Sequence, residues 1–151
     1  SFPFIILMVA IIPLTRFIVG KAIGVNAALV PLTIGAAPFI ARVIESSLKE
    51  VDKGLIEAAK SFGASDFQII FKVMIKEAMP SIVSGITLST ISILGYTAMA
   101  GAVGAGGLGA VALTYGYQKF DTSVMLYTVL ILIVIVQLIQ CIGNLAYKKL
   151  K

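Results

Sequence analysis

Residues 78–118, 41 positions in all, contain no charged side chain. A soluble chain carries about one charged residue in four, so a run of this length has no place on an ordinary water-facing surface. Uncharged stretches also cover 1–15, 22–41 and 122–147, and only 13% of the chain is charged while 59% is hydrophobic. Backbone polar groups in lipid must be satisfied within the segment that crosses, and long apolar runs separated by charged islands therefore predict an all-α integral membrane protein. As one straight helix the longest run would extend about 60 Å, twice the hydrocarbon core. It has to be interrupted. Gly101, Gly104, Gly106, Gly107, Gly109 and Gly116 supply the interruption, so a span at about 80–100 is expected to give way to a glycine-rich outer loop over 101–118 with room for a short helix.

The runs predict about four spans, at roughly 2–20, 24–44, 80–100 and 122–146. The first run is shorter than the roughly 20 residues a crossing helix needs, and its helix is expected to begin upstream, the chain reading as a fragment that lacks one or more N-terminal spans. Pro3 and Pro13 stand near the ends of that first run. In the second run Gly35, Ala36, Ala37 and Pro38 make one stretch thin enough for another helix to approach closely. Gln137 and Gln140 in the last run call for a helical partner or a polar cavity.

Several chemistries are excluded. There is one cysteine, Cys141, and no histidine, which leaves no intramolecular disulfide and no Cys/His metal site. Gly104-Ala-Gly106-Gly107-Leu-Gly109 has the form of a dinucleotide fingerprint, but it lies between two apolar runs with no βαβ context. No phosphate-binding loop or catalytic pair occurs, so the chain is not expected to be an enzyme. Its basic residues stand mostly at the ends of apolar runs rather than on one polar face, against nucleic-acid binding. Their distribution sets orientation instead. Arg42, Lys49, Lys53, Lys60, Lys72 and Lys76 together with Lys148, Lys149 and Lys151 stand against Arg16, Lys21 and Lys119. Nine against three puts 50–77 and the C-terminus on the cytoplasmic side.

The polar island at 50–77 reads as two helices joined by a corner. Leu55, Ala58, Ala59 and Phe62 share one helical face, opposite Glu57, Lys60 and Ser61. Gly63 is placed to end that helix in a left-handed conformation, and Ser65-Asp-Phe-Gln68 has the form of a capping box opening the next. In the second helix Phe67, Ile70, Phe71 and Met74 lie on one face, and the helix is expected to break on leaving the island, with Pro80 as the breaker.

Glu57-Ala58-Ala59, three further residues and Gly63, set between membrane spans, resemble the EAA loop of type I bacterial ABC importer permeases. The family's pattern continues Ile-x-Leu-Pro where this chain has Val73, Ile75 and Lys76. Phe-Pro-Phe-Ile-Ile-Leu near the start, Pro31-Leu-Thr-Ile-Gly-Ala-Ala-Pro-Phe-Ile-Ala-Arg42 and the segment 101–109 are similar to the methionine-importer branch. The resemblance implies that residues 1–151 are part of a single type-1 transmembrane domain in the bacterial plasma membrane. Its 50–77 loop would dock on cytoplasmic ATPase subunits through Glu57, Ala58, Ala59, Phe62 and Gly63. It further implies a second copy of the permease, an extracytoplasmic substrate-binding protein and import of methionine, as the L-form with the D-form left open. The chain itself would hold no cofactor, with ATP and Mg bound by the partner ATPase. A type I permease for another small solute is the alternative; a secondary transporter or a structural membrane subunit is further off.

One more pair stands out. Tyr96 and Met99, at i and i+3 among small neighbours, project from one face of the third span. They are candidate gate residues on the central path that the resemblance implies, Met99 being flexible enough to close an apolar pore and repack. Ordinary helix packing is the competing reading.

Overall fold

The computed structural model describes residues 3–101 and 104–150, and among these no strand forms. Phe2 of the first expected span, Ala102 and Val103 of the glycine-rich loop and Lys151 of the tail lie outside the described residues. Among the described residues three helices are long and apolar enough to cross a membrane: α3 (Val25–Lys49), the continuous run Asp66–Ala100 and α8 (Thr122–Leu150). The expected first span is divided instead into α1 (Phe4–Ala10) and α2 (Ile12–Val19). Pro13 accounts for the division. It has no N–H to offer the preceding turn and its ring crowds the carbonyl four residues back, so the ladder is cut and Pro13 takes its place in the first turn of α2.

The second departure runs the other way. The sequence predicts that the helix leaving the polar island ends there and that a span begins at Pro80, yet α5 (Asp66–Gln68), a π-helical stretch Ile69–Met74 and α6 (Ile75–Ala100) join without a break. Pro80 lies inside the run. Its missing N–H faces the carbonyl of Lys76, an exposed residue, and the helix continues through it, as α3 continues through Pro31 and Pro38. α3 likewise outlasts its expected end at 44, continuing to Lys49, and Lys49 Nζ lies 2.6 Å from Glu45 Oε1 in the extension. Such i,i+4 pairs support exposed helical ends.

The chain divides into two compact units, one comprising residues up to Pro38 and Thr90–Ile139, the other Phe39–Ser89 and residues from Gln140 onward. In the first unit Phe4, Met8, Ala28 and Ala100 form the buried centre, with Leu32, Tyr96 and Ala105 packed around it. α1 approaches α3 at Gly35, where an added Cβ would meet Leu7 Cδ2 at 3.3 Å. The glycine-rich stretch is mostly folded: α7 (Gly107–Val111) runs into a π-helical segment Ala112–Gln118. Its glycines serve contact. A Cβ on Gly109 would overlap the backbone of Ala98, and one on Gly101 the backbone of Ala110, so this helix lies directly against the end of α6. Asp121 then caps α8, its Oδ1 accepting from the N–H groups of Ser123 and Val124 at 3.1 Å each.

In the second unit α6 packs on α3 where Gly85 faces Val43, and on α8 where Gly143 faces Thr87. Both contacts leave no room for a side chain at the glycine. The buried hydroxyls of Ser47 and Ser89 donate to the carbonyls four residues earlier, Val43 and Gly85, at 3.0 and 2.8 Å, which satisfies them without an interhelical partner.

Candidate functional site

Residues 50–77 build a corner whose backbone is specified from both sides. Asp52 opens α4 (Lys53–Ser61), its Oδ1 accepting from the Gly54 N–H at 2.6 Å. The helix closes at Phe62, and Gly63 takes φ +77°. Gly63 N–H then donates to the Lys60 carbonyl at 2.9 Å and Ala64 N–H to the Ala59 carbonyl at 3.1 Å, the paired bonds of a Schellman motif. One residue later Ser65 begins the next helix with a complete capping box: Ser65 N–H donates to Gln68 Oε1 at 3.0 Å, and Gln68 N–H donates to Ser65 Oγ at 3.4 Å. A helix stop and a helix start separated by Ala64 alone satisfy most of the backbone groups that a corner otherwise exposes.

The side chains of this corner face outward. Glu57, Ala58, Phe62 and Gly63 are exposed and Ala59 is half-buried, with Phe62 90% exposed. Phe67 and Phe71, on the next helix, are also exposed, and their rings touch with centroids 4.4 Å apart. Three phenylalanines beside Leu55 and Ile70 thus form an exposed apolar surface on residues flanked by charge. The island also has an anchored side. Ile69 is 3% exposed and Val51 7% exposed, and neither belongs to the apolar faces that helical periodicity selects. The first case follows from ordinary helical spacing: at about 100° per residue Ile69 lies opposite Phe67 and Phe71, so the side that turns the phenylalanines outward turns Ile69 inward.

The sequence reading also misses Asp52, though a short acidic residue just before a helical run is a readable cap signal. It misses the bond from Ser81 Oγ to Glu50 Oε2, at 2.9 Å, which joins residues 31 apart and has no sequence signature.

The candidate gate residues differ in their surroundings. Tyr96 is half-buried and stacks on Phe4, ring centroids 5.0 Å apart and planes 16° apart, so it contributes to the centre of its unit. Met99, one turn on, is 41% exposed.

The sequence profile described as "Binding-protein-dependent transport system inner membrane component" matches residues 1–151. A probable D-methionine transport system permease protein MetI of Vibrio cholerae is 56% identical over 144 residues, covering 95% of this chain and 64% of that protein. The methionine import system permease protein MetP of Bacillus subtilis is 51% identical over 145 residues, covering 96% of this chain and 65% of that protein. The chain therefore spans somewhat under two thirds of the length of these relatives. Among solved structures, a crystal form described as showing inward-facing conformations of the MetNI methionine ABC transporter matches with a TM-score of 0.96 at 49% identity, over 100% of this chain and 70% of that one.

Proposed function

We propose a transport role for this chain on the premise that it belongs to the family of binding-protein-dependent transport system inner membrane components. It is the permease subunit of an ATP-driven importer, and two copies form the path by which methionine, L- and D-, crosses the plasma membrane. The observation that carries this reading is the doubly capped corner with Phe62, Phe67 and Phe71 held out to solvent. A stiff backbone that displays an apolar surface suits docking into a groove of a second protein.

That second protein is the ABC ATPase, one subunit per permease, and it binds the ATP and Mg that the permease does not. Glu57, Ala58, Ala59, Phe62 and Gly63 form the contact. An extracytoplasmic binding protein delivers substrate from the other side. ATP can drive import only if the ATPase binds the corner differently in the inward-open and outward-open states, since equal affinity for both would shift nothing. The positive-charge bias directs the corner and the C-terminus to the cytoplasm. Met99 acts as the movable element of the gate, and Tyr96, stacked on Phe4, holds the helix that carries it.

The test is reconstitution. The full-length permease with its ATPase and binding protein in proteoliposomes is expected to accumulate labelled methionine only when ATP is supplied. ATP-independent uptake, or a permease that recovers no ATPase on purification, overturns the reading.

A further inference from the structure

The bond between Ser81 and Glu50 lies outside the docking contact and the gate, and its position gives it a task. We infer that Glu50 is a positioning residue for coupling: its carboxylate ties the end of α3 to α6 beside a polar cleft, so that displacement of the corner moves both helices together. The inference rests on the transport reading above.

α3 and α6 meet where Val43 faces Gly85. From that contact Glu50 lies seven residues along the chain and Ser81 four residues back, roughly 10 Å and 6 Å by helical rise. The two side chains thus stand on the same side of the contact, toward the corner. Beside them lies a cleft of about 500 Å³, open to the surface and lined by Ser47, Glu50, Glu77, Ser81 and Ser84, with Tyr147 of α8 at its side. A space of that size holds no interlocked side chains, and a gap transmits little of a push from one helix to the other. Beside it Ser81 Oγ donates to Glu50 Oε2 at 2.9 Å. A hydroxyl bonded to a carboxylate is stronger than a neutral pair, which suits a single bridging contact.

The backbone around the tie is graded in stiffness. Glu50 is held by its N–H, which donates to the Ser46 carbonyl at 3.2 Å, and is followed by the buried Val51 and the cap Asp52. On the other side, the chain between the corner and Ser81 includes the π-helical turns and Pro80, the two places where the hydrogen-bond ladder is irregular. Without the tie, a push at the corner is absorbed by bending that segment. With it, the push reaches α6 beyond Pro80 through the end of α3.

The experiment uses the full-length permease assembled with its ATPase and binding protein in proteoliposomes. Ser81→Ala, Glu50→Ala, Glu50→Gln and the double Ser81→Ala/Glu50→Ala variant are compared for ATP hydrolysed per methionine imported and for ATPase recovered with the permease. Ser81→Ala and Glu50→Ala are expected to raise the ratio roughly three- to tenfold at unchanged assembly, the range in which one charged hydrogen bond biases a two-state element. Glu50→Gln keeps an acceptor and should restore the ratio to within about twofold, and the double variant should be no worse than either single one. A normal ratio in Ser81→Ala overturns the inference. So does a loss of assembled ATPase in step with transport, which would make Glu50 part of docking, and so does failure of Glu50→Gln as complete as that of Glu50→Ala. If the unmodified complex imports no methionine, the transport reading itself falls, and that result is distinct from all of these.

Discussion

Gly63 sets one backbone angle, φ +77°, and the aim of both helices of the corner depends on it. No heavy atom lies within 4 Å of where its Cβ would stand, so the demand for glycine is conformational and not steric. A β-branched residue held left-handed costs about 1–3 kcal/mol, enough to populate other corner geometries. Gly63→Val is therefore expected to reduce ATP-coupled import roughly tenfold with the amount of permease in the membrane unchanged, whereas Gly63→Asn, which tolerates this conformation, should keep most of it. Normal uptake in the valine variant would remove the corner from the mechanism. Met99 supplies the second prediction at this scale. As a gate residue, Met99→Ala should raise the ATP hydrolysed per methionine while the amount of complex stays constant; an unchanged ratio with less complex would identify a packing residue. Gly63 and Ser65 are legible in the sequence because caps are local chemistry. Ile69 is not, because a short helix with apolar residues on both sides does not announce which side packs inward and which is left exposed.

Among the elements, two prolines show how far local rules reach. Pro13 interrupts the first apolar run and Pro80 leaves the helix Asp66–Ala100 intact, although both lack the same N–H. Exposure of the residue whose carbonyl each leaves free does not separate them, since Val9 and Lys76 are both exposed, and Pro31 and Pro38 also lie inside an unbroken helix, so proline alone does not mark a break. The glycines near 101–109 present the same difficulty. Their number suggests an open loop, but Gly101 and Gly109 are where α6 and the helix after it touch backbone to backbone. Close approach and freedom to turn call for the same residue, so the two uses cannot be told apart from composition. In the second unit the contact of Gly143 with Thr87 gives a test of packing. Gly143→Leu forces side-chain bulk into it and should lower stability by about 1–3 kcal/mol, read as a lower unfolding temperature in detergent. Gly95→Ala, at a site with nothing within 4 Å of the added methyl, should leave it unchanged.

For the whole molecule, composition alone suffices to predict an all-helical membrane protein, since lipid admits few other ways to satisfy a backbone. The count of spans is harder: the apolar runs predict about four, and among the described residues three helices are long and apolar enough to cross while 4–19 form a broken pair. Orientation comes from the distribution of lysine and arginine and is open to direct measurement. In a background with Cys141 replaced by alanine, single cysteines at Ser65 and Lys149 should resist an impermeant thiol reagent in intact cells, while one at Ala105 should react. Labelling at 65 with protection at 105 would invert the assignment.

The back-to-back stop and cap at 63–65 also fix the length of the corner. A residue inserted beside Ala64 would part the stop at Gly63 from the cap at Ser65 and change the angle between the two helices, and with it the direction of the phenylalanines, whereas exchanging exposed side chains leaves the backbone as it is. On the transport reading, the corner's length is therefore expected to be held constant while the residues it displays are free to change, and grafting the displayed residues alone is the economical way to change what docks there.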